Sequence, residues 1–453
     1  MKQSVWKQII LYISIFLCLT VLQLGSLVLV AFIPRSAIQS NMEESADYLC
    51  KNFVFRQFDA RHQGSIVDRY ADSILLNILY SYDSGQPVSS VLDASYYYSE
   101  EENENFNLRA AVYENAPANK SYSRYWHGSI AVLRPLLLFF NLPQIYVLLG
   151  ALLLFLFLVL LWVIYHRLHP KAILPVVLGS ILMSFWYVPL SLEYTWTVLL
   201  MLLTSVILLS LCTNAKNKEM LSAEKVRMRL MILFLITGSM TSFLDFLSTE
   251  TLTLLVPLTF YLAISFQNQQ ITTFKTGILK LLPIGISWFS GYLFTWLSKW
   301  TIASVVLQEN VFASALLQAG ERINGDMEIA GFAKYPASIL MNLNCIWPFN
   351  YAGDYGYLLI LGLFLIIGMI YFLFRKESGQ SALWLFLLLA FVPYLRFVAL
   401  CNHSYIHYFF TYRAQFTTVL CLGFILIYGL DDTLMKKEWE KRRKKRGKKR
   451  RKN

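Results

Sequence analysis

The chain has 453 residues, of which 56% are hydrophobic, 15% are aromatic and 15% are charged. A soluble protein of this length would keep roughly a quarter of its residues charged, so the composition excludes an ordinary soluble protein and indicates a polytopic membrane protein. The net charge of +12 does not indicate a nucleic-acid partner, because thirteen Lys and Arg residues lie in the tail Lys436–Asn453. A basic tail that follows an apolar segment is typical of the cytoplasmic side, where it can also contact anionic membrane lipids.

Ten apolar segments are predicted to cross the membrane as helices: 9–33, 142–165, 172–190, 194–213, 230–246, 251–267, 279–298, 355–374, 381–400 and 413–430. With this count the Lys- and Arg-rich connections all lie on the cytoplasmic side, together with both termini. The predicted fold is therefore an all-α integral membrane protein with about ten transmembrane helices. Its predicted parts are a signal-anchor helix at 1–33, an extracytoplasmic loop at 34–141, a polytopic core at 142–430 and a basic cytoplasmic tail at 431–453.

The first loop contains a segment with helical periodicity, "SIVDRYADSILLNILY" at 65–80. Its apolar residues recur at the spacing of one helix face, namely Val67, Tyr70, Ile74 and Ile78. Asp68 and Asp72 are four residues apart and share the roughly opposite face. Two carboxylates so placed could ligate a divalent cation or supply a general base. The alternative is a solvated polar face on an interfacial helix.

A second cluster, "SRYWHG" at 123–128, combines Arg124 and His127 with two aromatic residues. Arginine grips phosphate oxygens with two parallel hydrogen bonds, and histidine adds a proton or a second contact. The alternative is an aromatic belt at the membrane interface with an arginine that reaches to water. The next stretch, "SIAVLRPLLLFF" at 129–140, is short and contains proline, so we predict an interfacial helix rather than a membrane span.

The turn in "FLDFLSTETLTLLVPL" at 243–258 places Asp245 and Glu250 between two apolar runs. An acid so close to hydrocarbon is expensive unless it faces a wet cavity or a partner, which favours a functional role. The alternative is a turn in headgroup water whose Ser248 or Thr249 caps the next helix. Further along, "LQENVFASALLQAGERINGD" at 307–326 has an amphipathic pattern that predicts a lid over a cavity.

The stretch "CNHSYIHYFFTYR" at 401–413 holds two histidines on one helical face, His403 and His407. Zinc would need a further ligand that this stretch lacks, whereas Arg413, Asn402 and the histidines suit a phosphate group. On one continuous helix Arg413 would lie roughly 80° around from His403, so convergence requires a bend. The alternative is an aromatic and histidine turn at the interface.

These segments together resemble the GT-C membrane glycosyltransferases, and within them uncharacterised polytopic membrane proteins of Gram-positive bacteria. The resemblance is carried by "DRYADSILLN", "RYWHG…LRPLL", "FLDFLSTETLTLLVPL", "SKWTIASVVLQEN" and "NHSYIHYFFTYR", which span most of the chain from about 65 to 413. It implies a multi-pass protein of the bacterial plasma membrane that uses a polyprenyl-phosphate-linked sugar at its extracytoplasmic face.

By that resemblance Asp68 or Asp72 would be the catalytic base. The phosphate or sugar contacts would be Arg124, His127, His403, His407 and Arg413. GT-C acids usually follow the first span closely, and here the acidic pair nearest to that span is Glu43 and Glu44. The resemblance therefore leaves the identity of the base open among Asp68, Asp72, Glu43 and Glu44. No cofactor is certain, and a divalent cation remains a candidate. A transporter or flippase for a lipid-linked or anionic envelope precursor is the alternative function, since Asp245 and proline-bearing spans are compatible with a pathway.

Overall fold

A computed structural model of the chain describes residues 2–212, 223–325, 329, 331–346, 356–375 and 380–430. The basic tail predicted at 431–453 lies outside these residues. Nearly all of the regular structure is helical, apart from one antiparallel hairpin in the first loop, β1 (Phe55–Gln57) and β2 (Ile66–Asp68).

The helices are, in chain order, α1 Lys2–Ala31, α2 Arg35–Cys50, α3 Arg69–Ser81, α4 Pro87–Asp93, α5 Glu104–Tyr113, α6 Ile130–Leu136, α7 Leu142–Arg167, α8 Ile173–Leu182, α9 Leu192–Leu211, α10 Ala223–Leu244, α11 Thr251–Gln267, α12 Phe274–Leu307, α13 Val311–Asn324, α14 Lys334–Asn344, α15 Gly356–Phe374, α16 Gln380–Ala399, α17 Cys401–Ile406, α18 Tyr408–Thr411 and α19 Phe416–Gly429. Each segment predicted to cross the membrane coincides with a helix or with a pair of short helical pieces.

Among the described residues, six helical stretches are long and apolar enough to cross a bilayer: Trp6–Ala31, Leu142–Arg167, Leu192–Leu211, Glu224–Leu244, Phe274–Leu307 and Tyr408–Gly429. Four shorter apolar helices, of 10–17 residues, coincide with the remaining predicted spans: Pro170–Leu182, Thr251–Gln267, Ile360–Phe374 and Leu383–Ala399. The prediction of an all-α membrane protein is confirmed. The count of ten spans and the cytoplasmic placement of the termini stay predictions.

The segment predicted as a span at 172–190 is not one continuous helix. Helix α8 ends at Leu182, and a 3₁₀ helix follows at Phe185–Leu190. Ser184 between them has a φ of 50°, a left-handed conformation that a regular helix does not contain. The apolar run predicted the segment but not its break, because a buried serine at a bend leaves the hydropathy of the run unchanged.

Helices α10 and α12 pack closely because glycines replace side chains at their contact. A Cβ atom at Gly238 would collide with the carbonyl of Trp288, and one at Gly291 would collide with the carbonyl of Leu235. Small residues at such positions let helix backbones approach, which is the usual way in which membrane helices gain packing energy. Both helices also accept hydrogen bonds from the first-loop segment at 123–128.

The first loop is a folded region and shares its core with the ends of the long helices. Its buried residues form one hydrophobic cluster with Leu27 of α1, Ile145 of α7 and Trp196 of α9. A buried lysine adds a polar connection: Lys299 of α12 is fully buried and its Nζ donates to the carbonyl of Leu92, 2.8 Å away, at the end of α4. A cation at a helix C-terminus is favourable because the last carbonyls carry partial negative charge.

The acidic stretch at 95–107 is only partly exposed. The acids at 100–102 are exposed, but Asn105 and Asn107 are buried. Asn105 donates to the carbonyls of Leu49 and Asn52, and its Oδ1 accepts from Ser73. These contacts fasten α5 to α2 and α3, so the asparagines stabilise the loop region rather than solvate it.

Candidate functional site

A cavity of about 460 Å³ lies between the first loop and the helix ends beside it. Its polar and charged lining residues come from six separate parts of the chain: Asp68, Tyr70, Tyr96, Lys120, Ser121, Tyr122, Arg124, His127, Glu193, Gln318, Arg322, His403 and His407. Five of the predicted site residues are among them, namely Asp68, Arg124, His127, His403 and His407. The chain segments that hold them are far apart in sequence, so the fold brings them together.

The "SRYWHG" segment is held against the membrane helices by backbone and indole hydrogen bonds. The indole Nε1 of Trp126 donates to the carbonyl of Thr295 at 2.8 Å, and that of Trp300 donates to the carbonyl of Arg124 at 2.9 Å. The amide of Gly128 donates to the carbonyl of Phe243 at 2.8 Å. A Cβ atom at Gly128 would collide with the Phe243 ring, so glycine is needed for this approach.

Asp68 stands at the junction between strand β2 and helix α3 and is the N-cap of that helix. Its Oδ1 accepts from the amide of Ala71 at 2.8 Å, the usual bond of an N-cap aspartate. The side chain lines the cavity although the residue is only 3% exposed, and burial raises the pKa of Asp68 to about 6. The carboxylate therefore does not belong to a solvated helix face, which was the alternative for this segment.

Glu193 is a cavity residue that the sequence analysis did not select. It lies in the first turn of α9, is 6% exposed, and has its side chain within hydrogen-bonding reach of Asp68. Its Oε2 is buried without a hydrogen-bond partner among the described residues. The available signal was an acid at the start of an apolar run, which resembles an ordinary helix N-terminus. Its pairing with Asp68 is a tertiary contact that no local pattern encodes.

Three permanent cations, Lys120, Arg124 and Arg322, line the same cavity. The guanidinium of Arg124 lies 4.2 Å from the ring centroid of Tyr122, and the Nε of Arg124 is buried without a partner. In the part of the chain that the structure describes, none of the three cations forms an ion pair with a carboxylate. Uncompensated cations at a partly enclosed cavity favour an anionic ligand.

Helix α13 contributes Arg322 and Gln318 to the cavity wall. These residues are four apart, so they share the helix face that points inward. On the outer side, Leu316 is 64% exposed and Leu317 is 66% exposed. The amphipathic pattern at 307–326 therefore corresponds to a helix with a polar inner face, while its movement as a lid stays a prediction.

The three cavity histidines are neutral at physiological pH. Burial, followed by the charge of Lys299, lowers the pKa of His127 to about 3; burial and Arg322 lower that of His407 to about 3. Burial also holds the pKa of His403 well below its usual range. The His403 and His407 rings lie 4.8 Å apart, as their spacing predicts. They can offer hydrogen bonds to a ligand but not positive charge.

The tautomer of His127 follows from its partner. Its Nε2 lies 3.2 Å from the carbonyl oxygen of Tyr122. Because a carbonyl oxygen only accepts, Nε2 carries the hydrogen and Nδ1 of the neutral ring carries the lone pair. That Nδ1 is buried without a partner among the described residues. His127 therefore presents an acceptor, which suits a ligand hydroxyl better than a phosphate oxygen.

Asp72, the other carboxylate predicted as a base, does not line the cavity. It is fully buried and accepts hydrogen bonds from the hydroxyl of Tyr146 and from the amide of Leu192, the latter at 2.8 Å. Burial raises the pKa of Asp72 to about 7. Its contacts join α3 to α7 and α9, which is the arrangement of a carboxylate that stabilises the fold.

Asp245 and Glu250 also lie outside the cavity lining. Asp245 accepts from the amide of Ser248 at 3.1 Å. Glu250 pairs with Arg396, a residue that the sequence analysis did not select, at 2.8 Å between Oε1 and Nε and 3.1 Å between Oε2 and Nη2. Arg396 interrupts the apolar segment at 381–400, and this interruption was the sequence signal that could have identified the residue. The turn therefore faces a protein partner, one of the two conditions expected for acids so near hydrocarbon.

The bend predicted in "CNHSYIHYFFTYR" is present, since α17 ends at Ile406 and α18 begins at Tyr408. It does not bring Arg413 to the cavity: Nη2 of Arg413 donates to the carbonyl of Gly64 at 3.0 Å. Asn402 likewise lies outside the lining and donates to the carbonyl of Glu321 at 2.8 Å. Both residues fasten neighbouring segments around the cavity instead of lining it.

The acidic pair nearest to the first span lies on α2, away from the cavity. Glu43 accepts from Gln39 at 2.8 Å, and Glu44 accepts from Asn141 at 2.6 Å. Neither residue lines the cavity, whereas Asp68 does. Within the described residues no cluster of three or more His, Cys, Asp or Glu side chains is arranged to hold a metal ion.

The fold and the six long apolar helices define the chain as an all-α membrane protein with a polar cavity beside its first loop. In comparisons with known proteins, no family model, no curated sequence and no solved structure matches the chain.

Proposed function

We propose that the protein is a GT-C-like glycosyltransferase of a bacterial plasma membrane, which transfers a sugar from a polyprenyl phosphate at the extracytoplasmic face. One observation carries the proposal: a single cavity combines a buried carboxyl pair with cations that have no carboxylate partner among the described residues. Glycosyl transfer needs both groups, because an acceptor hydroxyl loses a proton while a phosphate leaves with negative charge.

In this reaction the acceptor oxygen forms a bond to the anomeric carbon, and the bond from that carbon to the phosphate oxygen breaks. The bonding electrons leave with the phosphate, and the hydroxyl proton passes to the carboxylate of Asp68. Arg124 and Arg322 stabilise the departing phosphate, with Lys120 adding a third positive charge. Asp68 is preferred to Asp72 as the base because only Asp68 lines the cavity.

The remaining lining is suited to a carbohydrate. Aromatic side chains form part of the wall, namely Phe55, Tyr70, Tyr96, Tyr122, Phe246 and Phe410. Sugar rings pack their apolar faces on such rings, while their hydroxyls need both donors and acceptors. The unpaired Nδ1 of His127 is one such acceptor.

The predicted membrane topology supports this placement of the reaction. With ten spans, the basic connections lie in the cytoplasm, and the first loop lies outside the membrane on the opposite side. A lipid donor presents its phosphate at the level of the headgroups. A cavity formed where the first loop meets the helix ends is in reach of such a phosphate without entry of the prenyl chain into water.

The test is sugar transfer by the purified protein in lipid nanodiscs, with a panel of polyprenyl-phosphate hexoses that carry a radiolabelled sugar. We expect Asp68→Asn to lower turnover by about 10²–10⁴-fold, the contribution usual for a general base. Glu44→Gln, an exposed carboxylate on α2, is the matched control and is expected to keep wild-type turnover. Equal turnover of wild type and Asp68→Asn would refute the assignment of the base.

The alternative function, transport of a lipid-linked or anionic precursor, gives a different result in the same preparation. Reconstituted in liposomes, a transporter would exchange labelled precursor across the bilayer without forming a covalent product. Exchange without product would refute the proposed transferase.

A further inference from the structure

The buried carboxyl pair has a chemical consequence that extends the proposed function and rests on it. Asp68 and Glu193 line one cavity, are 3% and 6% exposed respectively, and have side chains within hydrogen-bonding reach of each other. Two carboxylates cannot form a hydrogen bond with each other unless one of them holds a proton. Like charges at this distance in a buried site also oppose double ionisation.

We propose that Asp68 and Glu193 act as one proton-sharing pair, in which Glu193 keeps the proton and donates it in a hydrogen bond to the Asp68 carboxylate. Glu193 is then the residue that sets the basicity of Asp68 for the acceptor hydroxyl. The pair as a whole carries one negative charge before the reaction and none after the hydroxyl proton arrives.

The hydrogen bonds around the pair decide which partner is ionised. Asp68 accepts from the amide of Ala71 at 2.8 Å, and such a donor favours the charged form of a carboxyl. Glu193 has no backbone donor of this kind, and its Oε2 is buried without a partner among the described residues. Both residues lie at helix N-termini, so the helix dipoles favour neither one over the other.

The charged surroundings act in the same direction. Asp72 on α3 and Asp245 after α10 oppose a negative charge on Glu193, whereas Glu104 on α5 is the further acid that acts on Asp68. Other titratable or charged groups around the pair are Tyr194 on α9, the imidazoles of His127, His403 and His407, and the cations Lys120, Arg124 and Arg322. The cations favour one negative charge in the cavity, and the buried acids oppose a second.

The shared proton can be observed without any substrate. Infrared difference spectra of the full-length protein in nanodiscs would compare the wild type with Glu193→Gln at pH 7. We expect the wild type to show one additional carbonyl stretch of a protonated carboxylic acid, which shifts in deuterated water. Asp68→Asn should keep this band, because the proton resides on Glu193. The absence of the band from the wild type at pH 7 would overturn the proposal.

Activity gives a second measurement with two matched variants. Glutamine at 193 keeps a hydrogen-bond donor to Asp68, whereas Glu193→Met removes the donor at similar size. Without the donor the pKa of Asp68 rises, so the acid limb of the pH–rate profile should move up by about one pH unit or more. At pH 5, below the pKa of Asp68 in both variants, this corresponds to turnover about tenfold lower in Glu193→Met than in Glu193→Gln.

The outcomes separate the inference from the proposed function. The thermal midpoints of the two variants show whether both are folded. If both are folded and their pH–rate profiles superimpose, the proposed role of Glu193 is refuted. Absence of sugar transfer by the wild type would refute the proposed function, and the infrared band would still decide whether the pair shares a proton. Where Glu193→Met does not fold, the spectra of wild type, Glu193→Gln and Asp68→Asn decide alone.

Discussion

The cavity and the Glu250–Arg396 pair are two polar regions in a largely apolar molecule. They differ in whether their charged groups have partners within the protein. Arg396 donates to both carboxylate oxygens of Glu250, to the carbonyl of Leu247 and to the hydroxyl of Ser404. In the cavity, by contrast, the guanidinium of Arg124 lies against the rings of Tyr122 and Tyr125, and its buried Nε has no partner among the described residues. The ion pair is complete without a ligand, whereas the cavity leaves hydrogen-bonding capacity for one.

The difference teaches how to separate structural from functional polarity in a membrane protein. A buried charge is expensive, so a charge whose partners belong to the chain is explained by the fold. Buried polar atoms that lack partners around one cavity need another explanation, and a ligand supplies it. Arg396 serves a further purpose through Ser404, because its contact positions the helix that carries His403.

The largest effect on stability is expected at the ion pair. Arg396→Leu leaves Glu250 buried without its counter-charge, so we expect a loss of about 3–5 kcal/mol in the free energy of unfolding. Thermal unfolding in nanodiscs would measure it as a lower midpoint. The double variant Glu250→Gln/Arg396→Leu removes the orphaned charge and should recover part of the loss. A single variant as stable as the wild type would contradict this account.

A smaller effect, on activity instead of stability, is expected at Arg124. Arg124→Gln should lower kcat/KM for the proposed lipid donor by about 10–100-fold, since a hydrogen bond to a charged group contributes about 1.5–3 kcal/mol. The thermal midpoint should change little. Arg413→Gln is the matched comparison: it removes the bond to the carbonyl of Gly64 and should lower the midpoint. If Arg124→Gln lowered the midpoint and Arg413→Gln lowered kcat/KM instead, the roles assigned to the two arginines would be reversed.

The smallest effect concerns the pH dependence of stability at Asp72. Its pKa is raised to about 7 in the folded protein, above the usual value of 3.8, so folding favours the protonated form. The destabilisation is absent below about pH 4 and grows until about pH 7, so stability falls as the pH rises through this window. Asp72→Asn abolishes this titration.

The measurement for Asp72→Asn is the thermal midpoint at pH 5 and at pH 8, in the same nanodiscs. Relative to the wild type, the variant should gain a few degrees more at pH 8 than at pH 5. Parallel curves for the two proteins over this range would show that Asp72 does not titrate there.

Local patterns predicted much of the fold and part of the cavity. Long apolar runs specify helices almost by themselves, and a spacing of four placed His403 and His407 on one face. The same reasoning placed Asp68 and Asp72 together, yet only Asp68 reaches the cavity, because Asp68 is an N-cap and lies before the helix begins. Helical spacing applies only within a helix, and the sequence did not locate that boundary.

The remaining residues depend on tertiary contacts. Glu193 joins the cavity through the docking of the first loop on α9, and Lys120 joins it through the backbone pairing of Lys120 with Tyr96. No local pattern encodes either contact. Asp245, Glu250, Asn402 and Arg413 were selected for polarity near hydrocarbon, and all four have partners within the chain. Polarity alone identifies residues that need a partner but does not tell whether the partner is the protein or a ligand.

The burial of Lys299 beneath the end of α4 bears on how the protein can be divided. Its ammonium group lies wholly between the first loop and α12, where it donates to carbonyls of Val91 and Leu92. Separation of the two parts would expose the apolar stem of Lys299 and leave the end of α4 without its cation. Residues 34–141 produced alone should therefore aggregate or remain unfolded, and proteolytic cleavage near residue 34 or 141 should leave the pieces associated.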